Sequence, residues 1–172
     1  MLNLYVKLFV SIKRLGRLSF EKVYYYTVQK EDVAQSEFED FLTRMEGCPD
    51  YAEQLGEILQ FIKEIGEKHG AREAHFKHER AADALPPPYY IQPGKPNKFG
   101  LRLYCIRLSE EVVILLNGDL KTKNNPEECP NCRKHFRFAN SLARKLDEAI
   151  KNREVILVDR ELQFDDDFEI EL

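Results

Sequence analysis

The segment that most constrains the fold is residues 101–123, with the sequence LRLYCIRLSEEVVILLNGDLKTK. Its first part, residues 101–106, is typical of a strand, and a polar break at residues 109–111 separates it from an apolar run at residues 112–116. Two such runs joined by a short polar turn predict a β-hairpin, and an uninterrupted apolar run predicts a strand buried on both faces. Such a strand belongs at the centre of a sheet. The following Asn117-Gly118 pair predicts a break suited to positive φ, just before Lys121.

The rest of the chain predicts an α+β fold. A tyrosine-rich strand is expected within residues 20–28, and Ser36 with Glu39 forms a capping box that begins a first helix. Apolar residues at helical spacing predict a second helix at residues 51–69 and a last one at about residues 133–152. Short strands are expected at residues 89–91 and 155–158. We expect the helices on one side of a small antiparallel sheet.

Charge is distributed unevenly along the sequence, although the formal net charge is only −4. Residues 1–18 carry four basic residues and no acid, whereas residues 154–172 carry eight acids and one arginine. Residues 86–153, which include the central hairpin, hold 13 basic and 7 acidic residues. A basic block inside an acidic protein indicates an anionic partner.

Length and composition limit the class of protein. A chain of 172 residues fits one domain with appendages and is long enough to bury a core. No apolar run approaches the roughly 20 residues that cross a bilayer, so no membrane association is expected. The four cysteines do not form a disulfide framework, which favours a reducing, cytoplasmic compartment.

Both ends of the chain lie outside the predicted domain, which we place at residues 20–153. Residues 1–19 form a basic extension whose charges follow its apolar patch, unlike a signal peptide. This extension is either an amphipathic surface segment or a non-native addition from an upstream start codon. Residues 154–172 form an acidic tail that is either disordered or an edge strand lying against the basic block.

The order of these motifs resembles the RelE/ParE superfamily of toxins from type II toxin–antitoxin pairs, especially its RelE and phage HigB-like members. The resemblance covers about residues 20–150. It is carried by the tyrosine-rich strand, the S-x-x-E-F-x-x-F-L helix start, the arginine of the R-L-Y strand and the segment VILLNGDLKTK. It implies a RelE-like fold: an N-terminal strand and two helices packed on a small antiparallel sheet, with a further C-terminal helix.

The resemblance also implies ribosome-dependent cleavage of messenger RNA in the cytoplasm. The 2′-hydroxyl attacks the adjacent phosphate without a metal or cofactor, and basic side chains stabilise the phosphorane. Matching positions give a catalytic set of Arg102, Lys121, Lys123 and His135, and RNA-binding candidates Lys95, Lys98, Tyr90 and Arg133. Tyr90 and Gln92 stand where RelE has a pair of lysines, a departure from the pattern. The implied partners are a cognate antitoxin, the ribosome and messenger RNA.

Three other functions remain open from the sequence. The chain could be a RelE-fold module that binds protein without catalysis, or a ParE-like inhibitor of DNA gyrase. Cys129 and Cys132 have zinc-knuckle spacing and His135 adds a third donor, but a structural zinc site normally has four ligands. As a redox pair, the two cysteines lack the βαβ context of thioredoxin-like motifs.

Overall fold

The computed structural model describes residues 6–90 and 99–172. The fold is α+β, with three helices and a large, mostly antiparallel sheet. The helices are α1 (Glu37–Glu46), α2 (Ala52–Glu64) and α3 (Arg133–Lys151). The strands are β1 (Phe9–Ser19), β2 (Tyr24–Lys30), β3 (Lys77–Glu79), β4 (Ala82–Leu85), β5 (Gly100–Arg107), β6 (Val112–Lys121), β7 (Ile156–Val158), β8 (Glu161–Gln163) and β9 (Ile170–Glu171).

The main sheet has seven strands in the order β3-β4-β5-β6-β2-β1-β9, and β7 and β8 form a separate hairpin. Neighbouring strands of the main sheet are antiparallel, apart from β2 and β6, which are parallel. The prediction of a small sheet is therefore wrong. The central hairpin is confirmed as β5 and β6, and Val112 through Leu116 are all buried.

Helices cover both faces of the sheet, which corrects the expectation that they lie on one side. The helices α1 and α2 pack with Tyr25, Leu103 and Leu115 on one face, whereas α3 packs with Tyr104 and Ile114 on the other. Successive side chains of a strand point to opposite faces. A strand with apolar residues at every position, such as the first half of β6, is what a sheet covered on both sides requires.

The first helix begins where its capping box predicts. The Ser36 hydroxyl accepts a hydrogen bond from the Glu39 amide at 3.2 Å, and Phe38 and Phe41 are buried. The second helix is also confirmed, although its last turn, Ile65–His69, is a π-helix. The short strand expected at residues 89–91 is not observed at Tyr89 and Tyr90, which lie in a turn, and Ile91 is outside the described residues.

The two chain ends both contribute to the sheet. The basic segment supplies β1, which pairs with β2 and with the acidic tail's β9. The tail is thus ordered in two hairpin strands and one edge strand, which lies next to β1 at the edge opposite β3 and also contacts α3 of the basic block. Ion pairs link the ends: Lys7 Nζ lies 3.5 Å from Glu171 Oε1, and Arg14 Nη1 lies 3.9 Å from Glu161 Oε1.

The strand β6 does not stop at Asn117-Gly118 as predicted. It continues to Lys121 through an irregularity in its pairing with β5, where two residues of β6 lie opposite one residue of β5. Gly118 pairs with Leu103, and a Cβ atom there would lie 1.8 Å from the Arg102 carbonyl oxygen. Glycine is therefore needed at position 118 because two backbones approach closely, and not because of positive φ.

None of the helices among the described residues is long and apolar enough to cross a membrane.

Candidate active site

Two of the predicted catalytic residues lie on the same face of the central hairpin. In β5, Leu101 and Leu103 point toward α1 and α2, so Arg102 and Tyr104 point toward α3. Lys121, at the end of β6, pairs with Gly100 and lies in the electrostatic neighbourhood of Arg102. Arg102 is 8% exposed and Lys121 is 3% exposed. The sheet thus places two buried cationic side chains together.

A third cation comes from the edge strand β3. Lys77 pairs with Ala84 of β4, which pairs with Tyr104 of β5. Lys77 and Tyr104 therefore lie on the same face of the sheet, with only the small side chain of Ala84 between them. The Lys77 side chain is 40% exposed, and its ammonium group lies in the electrostatic neighbourhood of Lys121. Its Nζ also lies 3.3 Å from Glu79 Oε1. We call Lys77, Arg102, Lys121 and Glu79 the cationic cluster.

The electrostatics of the cationic cluster favour an anion. Burial, followed by the neighbouring Lys77 ammonium, lowers the pKa of Lys121 to about 8. Burial also lowers the pKa of Arg102, although a guanidinium stays charged throughout the physiological range. Among the described residues, the three cationic groups of the cluster face the carboxylate of Glu79, and a bound phosphate would relieve their repulsion. The lowered pKa also leaves part of Lys121 neutral near pH 8, so this amine can accept a proton.

The predicted catalytic histidine lies elsewhere. His135, in the first turn of α3, is buried among Arg44, Asp119 and Lys30, and the groups that act on Lys121 do not include it. Burial first, then the Arg44 charge, lowers the pKa of His135 to about 4. Within the part of the chain that the structure describes, its Nε2 has no hydrogen-bond partner. His135 is therefore a buried neutral imidazole outside the cationic cluster.

A polar network that sequence reasoning missed holds α1 against the irregular part of β6. The Arg44 guanidinium donates to Asn117 Oδ1 at 2.5 Å and to the Gly118 carbonyl at 2.7 Å. It also forms ion pairs with Asp40 and Asp119, each at 3.0 Å. Because this network fixes residues 117–119, it fixes the path of the strand that ends at Lys121.

The cysteine pair lies beside the cationic cluster, before α3. The Cys129 sulfur accepts a hydrogen bond from the Thr122 amide at 3.4 Å, and Cys132 donates to the Asp119 carbonyl at 3.7 Å. Burial opposes ionisation of Cys129, but the hydrogen bonds from Thr122 lower its pKa to about 7, whereas burial raises the pKa of Cys132 to about 12. Over residues 6–90 and 99–172, no group of three or more His, Cys, Asp or Glu side chains could hold a metal ion.

The remaining candidates are dispersed. Lys123 is exposed in the loop after β6. Arg133 is exposed at the start of α3 and donates through Nε to the Glu127 carbonyl at 2.6 Å. Tyr90 packs against Phe61 of α2, with ring centroids 5.1 Å apart, so it lies on the other side of the sheet from the cationic cluster. Lys95 and Lys98, like Gln92, lie outside the described residues.

Sequence reasoning did not single out Lys77, Glu79 or Tyr104. The apolar residues of segment 71–83 show no clear helical or strand periodicity, so the segment could not be assigned to a strand or to a face of the sheet. Lys77 and Glu79 are two residues apart, which places them on one face once β3 is known to be a strand. In the same way, Arg102 and Tyr104 are two residues apart in the R-L-Y segment of β5, which places them on one face of the strand.

Comparisons with protein-family models, with curated proteins and with solved structures gave no match for this chain.

The buried neutral imidazole makes stability depend on pH. Since the pKa of His135 falls from its ordinary 6.5 to about 4 on folding, the unfolded chain binds more protons between these values. The contribution of His135 to the free energy of unfolding is fully present above pH 6.5. About 2 kcal/mol of it is lost as the pH falls toward 4. Urea unfolding at pH 7 and pH 4.5 measures it: the natural chain should lose about that much more stability than His135→Leu.

Equal losses in the natural chain and His135→Leu would contradict a buried neutral His135.

Proposed function

We propose that this chain is the toxin of a type II toxin–antitoxin pair and acts as a metal-independent endoribonuclease on messenger RNA at the ribosome. The observation that carries the proposal is the convergence of Lys77, Arg102 and Lys121 on one face of the sheet. The resemblance of residues 20–150 to RelE-type and HigB-like toxins independently predicts Arg102 and Lys121 as catalytic.

The chemistry assigned to the cationic cluster is an attack of the 2′-hydroxyl on the adjacent phosphate. Neutral Lys121 accepts the proton of the 2′-hydroxyl as the new P–O bond forms. Arg102 and the Lys77 ammonium stabilise the negative charge of the phosphorane in a site with little water. The bond to the 5′-oxygen then breaks, and this oxygen takes a proton from Lys77 or from solvent. The products are a 2′,3′-cyclic phosphate and a 5′-hydroxyl.

Substrate access follows from the exposures of the three cations. Lys77 is the accessible member, on an edge strand, whereas Arg102 and Lys121 lie behind it. The scissile phosphate therefore approaches from the β3 edge of the α3 face. An edge strand also offers unpaired backbone groups to which an extended segment of an antitoxin can add.

The deep burial of two of the three cations favours a second candidate. A RelE-fold binding module without catalysis would keep Arg102 and Lys121 as structural charges balanced by neighbours such as Glu79. In that case the exposed surfaces of the protein would bind a partner, and the cationic cluster would contact no RNA.

Induced expression of the full chain in a bacterium separates these functions. We expect growth arrest with messenger RNA cut at defined positions and normal supercoiling of plasmid DNA. Arrest with intact RNA and altered supercoiling would support a gyrase inhibitor instead. Normal growth in the presence of soluble, folded protein would contradict the toxin proposal and favour the binding module.

A further inference from the structure

Three arginines from two elements meet at the carboxylate and carbonyl of one glutamate. Arg137 of α3 donates through Nε to Glu127 Oε2 at 2.8 Å, and its Nη2 lies 2.8 Å from the same oxygen. Arg80, in the turn between β3 and β4, places Nη1 3.8 Å from Glu127 Oε1. Arg133 binds the Glu127 carbonyl. One carboxylate cannot neutralise three guanidinium groups.

Arg80 is held in place from several directions. Its backbone has φ 61°, a left-handed conformation that costs a non-glycine residue about 1 kcal/mol. The turn is fixed to α3 because the buried Asn140 Oδ1 accepts hydrogen bonds from the Ala81 and Ala82 amides at 2.7 and 3.3 Å. The guanidinium lies 5.3 Å from the centroid of the Phe136 ring, with 62% of the side chain exposed. The fold thus presents a preorganised arginine to solvent.

These arginines adjoin the cationic cluster on the α3 face of the sheet. Arg80 follows directly after β3, three residues from Lys77, which corresponds to about 10 Å along an extended strand. Phe136, under Arg80, packs edge-on against Tyr104 with ring centroids 6.0 Å apart. A single-stranded nucleic acid with one phosphate at the cationic cluster would place a neighbouring phosphate near Arg80.

We propose that Arg80, Arg133 and Arg137 form a second phosphate subsite that binds the RNA backbone beside the cleavage position. The subsite rests on the proposed function for the identity of its ligand as RNA. A guanidinium offers paired N–H donors that match phosphate oxygens, and Glu127 keeps two of these groups oriented before the ligand binds. Backbone contacts of this kind bind RNA irrespective of base sequence and lose affinity as salt rises.

Equilibrium binding to a fluorescent, single-stranded 2′-O-methyl oligouridine tests the subsite, because this RNA cannot be cleaved. The variant Arg80→Gly/Arg137→Ala removes two guanidinium groups, and glycine suits the left-handed backbone at position 80. We expect the Kd to rise at least about tenfold, and the slope of log K against log salt to fall by about one to two. Arg144→Ala, which removes an exposed arginine elsewhere on α3, should leave the Kd within about twofold.

An unchanged Kd in the double variant would overturn the subsite. So would equally tight binding of polyglutamate at the same salt concentration, which would indicate an acidic protein ligand. The proposed function fails separately: an RNA that binds through these arginines but is never cut by the full chain on ribosomes would leave the subsite intact and contradict the nuclease.

Discussion

Replacing Lys121 with methionine is expected to lower the rate of ribosome-dependent RNA cleavage by about 10²- to 10⁴-fold. The substitution removes both the proton acceptor and a cation beside the phosphorane. Because burial and Lys77 already disfavour the charged form of Lys121, an apolar chain of similar length should not destabilise the fold. Single-turnover cleavage of messenger RNA on programmed ribosomes, measured from pH 6.5 to 9, is the test.

The pH dependence distinguishes a proton acceptor from a structural lysine. A pKa of Lys121 at about 8 predicts that the natural chain speeds up as pH rises toward 8 and then levels off. Lys123→Met, two residues further on in an exposed loop, should keep both rate and profile. A Lys121→Met protein with the natural rate, or with the same rise toward pH 8, would contradict the assigned role.

The second large effect is on stability. Gly118→Ala should lower the free energy of unfolding by about 3 kcal/mol or more, because the new Cβ would overlap the Arg102 carbonyl oxygen at the β5–β6 irregularity. Relief of that overlap requires the two central strands to separate where Arg44 binds the Gly118 carbonyl. Urea unfolding of the natural chain and of Gly118→Ala at neutral pH measures this difference in the free energy of unfolding.

Gly56 in α2 provides a matched control. A Cβ there would have no neighbour within 4 Å, and alanine is the better helix former, so Gly56→Ala should stabilise the fold by about 0.5 to 1 kcal/mol. Opposite signs for the two glycine substitutions support the close approach at residue 118. Similar unfolding midpoints for both variants would contradict it.

The elements that local sequence patterns specify were predictable. The capping box set the start of α1, and the unbroken apolar run at residues 112–116 required a strand covered on both faces. The partners of distant strands were not predictable, since the parallel pairing of β2 with β6 and the contact of β1 with β9 join segments far apart in sequence. One prediction from a local pattern was wrong: Asn117-Gly118 has the composition of a turn, but the pair lies inside strand β6.

The candidate site was predictable where it depends on a single hairpin. Arg102 and Lys121 fall on one face because β5 and β6 are neighbours in sequence and in the sheet. Lys77 was missed because its strand has only three residues, too few to show the alternation of side chains that identifies a strand. His135 was assigned to the site from its place at the start of α3, but its side chain is buried near Arg44, whose position depends on where α1 packs.

The ends of the RNA made by this protein test the central claim most directly. After induced expression, the new 5′ ends and 3′ ends of messenger RNA can be typed by whether they accept ligation or phosphorylation. Attack by the 2′-hydroxyl at the cationic cluster predicts 5′-hydroxyl and 2′,3′-cyclic phosphate ends with the natural chain, and none of them with Lys121→Met. New 5′-phosphate ends, or the same ends from both proteins, would contradict cleavage by this cluster.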